Sequence, residues 1–157
     1  MPAKGDLGKR VLALDLSGRR IGLAVSDPLG IVAQGLPTLT RVHRAADLAT
    51  LARLAAEYQV GRIVVGLPLL PSGEEGPEAA AVRRFARELA RHTGLPVDLY
   101  DERYTTRQAE RVLRAGGVKA CDRKGLVDRL AAVLILQSYL DARRRGARSS
   151  WKSCWRH

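Results

Sequence analysis

The chain has 157 residues, with 27 Lys or Arg against 16 Asp or Glu and a formal net charge of +11. That length suits one domain with a two- or three-layer core, and no apolar run approaches the roughly eighteen residues of a membrane span. Only Cys121 and Cys154 occur, which excludes a disulfide scaffold and fits reduced thiols in the cytoplasm.

The stretch Met1 to Lys9 is polar and lacks the apolar centre of a secretory signal. Three β-type segments follow, Arg10 to Asp15, Arg20 to Asp27 and Ile31 to Thr40, joined by Ser17-Gly18 and Asp27-Pro28-Leu29-Gly30. Turns this short predict an antiparallel meander. A helix fits Arg44 to Tyr58, with Leu48, Leu51, Ala55 and Tyr58 on one face, and Arg62 to Gly66 reads as a short buried strand. Leu67 to Gly76 is a Pro/Gly-rich loop. A second helix fits Pro77 to His92 with an apolar face of Val82, Phe85, Ala86 and Leu89. Val97 to Asp101 is the fifth strand. Thr105 to Gln108 has capping-box spacing for a third helix ending at Gly116-Gly117, and the last helix runs from about Gly125 to Arg143. The domain is expected to span residues 9–143. Residues 144–157 form a basic tail without regular structure. Within it, Trp151 and Trp155 stand among Lys152 and Arg156 and could stack on bases, or the tail could be functionally neutral.

Three antiparallel strands followed by two helix-to-strand crossovers predict an α/β fold: a mixed five-stranded sheet, three strands antiparallel and then two parallel, with helices on both faces. Sites in such sheets lie beyond the carboxyl ends of the parallel strands, where Asp15, the Gly66 loop and Glu102 fall. Asp15 could equally cap a turn, and Glu102 could form an ion pair with Arg103. Alternation along the strand sends Asp101 and Glu102 to opposite faces, and Glu102 is the one chosen for the site. Asp128 interrupts an apolar stretch from Leu126 to Leu140, where a carboxylate is costly unless a cation holds it, although an acid near a helix start also favours the dipole. Oxygen-only ligands of this kind suit Mg²⁺ or Mn²⁺, which act on phosphates, whereas His43, His92 and His157 are scattered and do not suggest zinc. Arg107, Arg111 and Arg114 make a stripe on the third helix, and Lys119, Arg123 and Lys124 precede Asp128. Each group could track a nucleic-acid backbone or simply face solvent.

Four segments carry a family resemblance. Asp15-Leu16-Ser17-Gly18-Arg19-Arg20-Ile21-Gly22 resembles the first-strand motif of the YqgF/RuvX family, within the RNase H-like superfamily. Gly66-Leu67-Pro68-Leu69 with Gly73, Asp101 to Thr106, and Asp128 to Gln137 resemble its later motifs, in order and at compatible spacing, over roughly residues 9–142. Where that family has Gly followed by a hydroxyl residue, this chain has Ser17-Gly18, so a hydroxyl contact to phosphate would fall to Ser17. The resemblance implies an RNase H-like fold, Asp15, Glu102 and Asp128 as catalytic metal ligands for two Mg²⁺ or Mn²⁺ ions, and maturation of the small-subunit ribosomal RNA precursor as the role. Substrate contacts are expected at Ser17, Gly18, Arg103, Arg107, Arg111 and Lys124.

The leading expectation is therefore a cytoplasmic, divalent-metal-dependent nuclease acting on structured RNA. A nuclease of branched DNA, resembling Holliday-junction resolvases and working as a homodimer, is the alternative within the same chemistry. A phosphotransferase on an actin-like sheet needs a second domain for which 157 residues leave no space. A non-catalytic RNA-binding factor in ribosome assembly or transcription has no use for buried acids, because carboxylates repel phosphate unless a cation intervenes.

Overall fold

Along Arg10–Leu16 (β1), Leu12 and Leu14 enter one hydrophobic cluster while Val11 and Ala13 enter another. A strand buried on both sides belongs in the middle of a sheet covered on both faces. The computed structural model describes residues 9–103, 111, 115–116, 120–144 and 151–153, with 120–126 and 151–153 described by backbone alone. β1 pairs antiparallel with β2 (Arg20–Ser26), and β2 pairs antiparallel with β3 (Ala33–Thr40). On its other side β1 runs parallel to β4 (Val60–Leu67), which runs parallel to β5 (Val97–Asp101). The expected three-antiparallel, two-parallel arrangement is present.

One element was not expected. Trp151–Ser153 (β6), inside the stretch read as a tail without regular structure, pairs antiparallel with β5, giving the order β3-β2-β1-β4-β5-β6. It covers the row of backbone groups that β5 would otherwise present at an open edge. A second difference has a local cause: β3 starts at Ala33 rather than Ile31. The Asp27 carboxylate accepts the N–H groups of Ile31 at 2.7 Å and Val32 at 3.1 Å, which holds those residues in the turn. The Pro/Gly-rich loop after β4 is drawn together by a Leu69–Glu75 bridge and by the Gly73 N–H donating to the Leu70 carbonyl at 2.7 Å.

Helices α1 (Arg44–Glu57) and α2 (Pro77–Thr93) cover one face, where Leu51, Val82, Phe85 and Leu89 pack onto Leu12, Leu14, Ile63 and Val65. Pro77 at the first helical position and Gly94 at φ 73° bound α2 as such residues do. The long α3 (Ala120–Arg144) crosses the opposite face and begins about one turn earlier than its sequence suggests. Its C-terminal half is pinned by Tyr139, whose hydroxyl donates to buried Asp98; Arg62 meets the same carboxylate at 3.1 Å. The helix expected over 105–116 lies outside the described residues, save that Arg111 and Ala115 are helical.

What lets α3 approach closely is a floor of small residues, including Ala13, Gly22, Ala24 and Gly35. A Cβ on Gly22 would lie 1.9 Å from the Asp128 carbonyl oxygen, and one on Gly35 would lie 2.8 Å from Arg129 Cγ. At Gly22 the obstacle is helix backbone and cannot swing aside. Gly22→Ala is therefore expected to cost about 2 kcal/mol or more, at the upper part of the range for overpacking, read as a lower denaturation midpoint. An unchanged midpoint would mean that α3 does not sit this near the sheet.

Candidate carboxylate site

Asp15 ends the buried part of β1 and takes the alternation of Val11 and Ala13, toward α3. Its partner across the antiparallel pair is Gly22. On the parallel side Leu14 pairs with Val65, which brings Gly66 alongside Asp15. Glycine thus stands on both neighbouring strands. Over Gly22 lies the Asp128 backbone; over Gly66 lies the Glu102 carboxylate, whose Oε2 would be 2.4 Å from a Cβ there. Residues remote in sequence are gathered because the strands beside Asp15 carry no side chain to fill the space.

The carboxyls of Asp15 and Glu102 hydrogen-bond each other. Asp15 is 6 % exposed and Asp128 9 %, while Oε2 of Glu102 is buried with no hydrogen-bond partner. Burial raises the Asp15 pKa, opposed by its hydrogen bond to Glu102. Glu102 is pushed up to about 10, first by burial and then by the Asp15 charge and hydrogen bond, with smaller contributions from Glu78 and Asp101. Asp128 is raised by burial and by Asp15, with Arg20 opposing. A group of acids this short of positive charge is what a divalent cation relieves.

All three acids line one cavity of about 670 Å³, together with Glu78 and Arg41. They do not form a finished cage. Among the described residues no group of three His, Cys, Asp or Glu side chains is arranged to hold a metal ion. Asp15 and Glu102 make the contact, and Asp128 faces the same space from α3. The donor set nonetheless fits a hard cation: every donor is an oxygen, two carboxyls touch, and one buried oxygen is orphaned.

The other expected contacts are distributed unevenly. Ser17 and Gly18 line the cavity, but the Ser17 hydroxyl donates to the Arg20 carbonyl at 2.9 Å, closing the turn after β1. Arg103 also lines it, and the neighbour it neutralises is Asp101 rather than Glu102. Its backbone N–H donates to Asp101 Oδ1 at 2.9 Å, and its Nη2 lies 2.9 Å from Oδ2. Arg111 is exposed. Arg107 and Arg114 lie outside the described residues, as does the side chain of Lys124, whose backbone is in α3.

Two charged lining residues went unnoticed in the sequence. Glu78 sits in the first turn of α2, after the β4 loop, a position that the end-of-strand rule could have flagged. Arg41 had no such signal. It reaches the cavity because its backbone N–H donates to the Arg19 carbonyl at 2.8 Å, drawing the end of β3 against the turn beyond Asp15.

Comparison with known proteins identifies the family and the fold. The profile of the family described as "RuvX: Holliday junction resolvase" matches residues 9–142. A protein of Koribacter versatilis (strain Ellin345) named "Putative pre-16S rRNA nuclease" is 50 % identical over 134 residues, covering 85 % of this chain and 88 % of that protein. One of the same name from Myxococcus xanthus (strain DK1622) is 47 % identical over 135 residues, covering 86 % of this chain and 89 % of that one. Among solved structures, T. thermophilus RuvC in complex with Holliday junction substrate superposes with a TM-score of 0.55 at 19 % identity. It covers 92 % of this chain and 99 % of that one, a likeness of fold.

Proposed function

This chain belongs to the RuvX family, and from that premise we propose that it is a divalent-metal-dependent nuclease that matures the precursor of small-subunit ribosomal RNA in the cytoplasm. The observation that carries the reading is the contact between Asp15 and Glu102 in a cavity that Asp128 also lines. Asp15, Glu102 and Asp128 would be the residues to hold Mg²⁺ or Mn²⁺. Two such ions, when bound, would supply an activated water and stabilise the leaving oxygen of a phosphodiester.

The chain's own residues do the remainder. Gly22 lets the Asp128 backbone approach the sheet, and Gly66 leaves room for the Glu102 carboxylate. Burial of Asp15 and Asp128 lowers the local dielectric, so charge developing on the substrate is felt strongly. Asp101 binds the Arg103 guanidinium at the cavity wall.

The name of the family's profile favours one second reading, cleavage of four-way DNA junctions. That reading adds a two-fold homodimer, since a junction presents two strands to be cut. Labelled precursor RNA, linear DNA and a four-way junction, each incubated with Mg²⁺, Mn²⁺ or chelator, separate the readings. Cation-dependent cutting of the RNA is expected. Cutting of the junction alone selects the second reading, and no cutting of any substrate leaves a non-catalytic RNA-binding role.

A further inference from the structure

Divalent ions on Asp15, Glu102 and Asp128 would serve the bond being cut, while the phosphates flanking it still meet an acidic wall that includes Glu78, so a fixed cation at the cavity edge favours their binding. Among the described residues two arginines line this cavity, Arg41 and Arg103, and Arg103 is engaged in its paired contact with Asp101. Resting on the nuclease reading, we infer that Arg41 binds a backbone phosphate adjacent to the bond being cut.

The geometry of Arg41 is that of a pre-set clamp. Its Nη1 donates to the Ser17 carbonyl at 2.8 Å, two residues beyond Asp15. Its guanidinium carbon lies 5.7 Å from the centroid of the Phe85 ring in α2, a cation–π contact. Nε stands 3.8 Å from Oδ2 of Asp47, a carboxylate itself anchored by accepting the Val42 N–H at 3.0 Å on Oδ1. Contacts from β1's turn, α1 and α2 therefore fix one side chain that is still 31 % exposed. Among the described residues, Nη2 keeps its donors unspent. Holding the planar fork in place beforehand reduces the entropy lost when phosphate arrives, and a guanidinium can grip two phosphate oxygens at once.

Arg41 also braces the turn, so the test must separate support from phosphate binding. Anisotropy of a fluorescein-labelled single-stranded RNA, with Ca²⁺ in place of Mg²⁺, gives affinity as a function of salt for the full chain. Arg41→Gln is expected to bind about tenfold more weakly at low salt, with the log–log salt slope shallower by about 0.7. Arg41→Lys, which keeps the charge and loses the fork, is expected to keep the slope and bind about threefold more weakly. Wild-type affinity and slope in Arg41→Gln, or wild-type affinity in Arg41→Lys, overturns the inference. So does failure of the wild type to bind. If Arg41→Gln does not fold, Arg41→Lys decides alone. An Arg41-dependent slope in a protein that never cuts RNA keeps this contact and removes the nuclease reading; cutting with an unaltered slope does the reverse.

Discussion

Asp15→Asn is expected to lower cation-dependent cleavage of precursor RNA by more than about 100-fold, the loss that removing even an outer partner of a metal ligand can reach, while the protein stays folded. Asn keeps the size of the side chain and can donate to Glu102, so the contact across Gly66 survives in neutral form. What disappears is the charge that a divalent cation requires from its donors. Because Asp15 touches Glu102 and acts electrostatically on Asp128, no other single change removes charge from the centre of the group. Cleavage by the mutant at the wild-type rate would take Asp15 out of the chemistry. Asp101→Asn is the matching control: its carboxylate serves Arg103, so a much smaller loss is expected.

The second large effect is on stability in the absence of metal. Glu102 holds its proton more tightly in the folded chain, where its pKa is about 10, than at its ordinary value of 4.5. Between those values the folded chain binds more protons than the unfolded one, so stability falls as pH rises. The fold is unpenalised below about pH 4.5 and loses stability progressively up to about pH 10. Glu102→Gln carries no proton to lose. In chelator its advantage over wild type should therefore appear above pH 4.5 and widen toward pH 10. Each tenfold difference in proton affinity is worth about 1.4 kcal/mol, or about 3–6 °C in Tm for a chain of this size. Adding Mn²⁺ should raise the wild-type Tm and leave Glu102→Gln nearly unmoved. Parallel Tm profiles across pH in chelator would show that Glu102 is not a strained acid.

Much of this site can be read from residue order. Turn lengths and two crossovers determine a sheet with Asp15 and Glu102 at carboxyl ends, and strand alternation separates Glu102 from Asp101. Structure adds depth, which patterning does not encode. Gly22 and Gly66 look like ordinary motif glycines until α3 and Glu102 are seen occupying the volume their side chains would take. Arg41 is invisible for a related reason: its place depends on Arg19, Ser17, Asp47 and Phe85 meeting at one point, a tertiary coincidence with no local period. The sixth strand escaped because Trp151–Ser153 is too short to show alternation and pairs only because β5 offers an edge. The turn at Asp27 trimmed β3 through side-chain hydrogen bonds that strand propensity ignores.

Direct titration with Mn²⁺, followed by the ion's paramagnetic signal, puts the whole account to its shortest test. Saturable binding by the wild type is expected, weakened by more than about tenfold in both Asp15→Asn and Glu102→Gln. Equal Mn²⁺ affinity in all three proteins would contradict the assignment of this cavity as the metal-dependent centre.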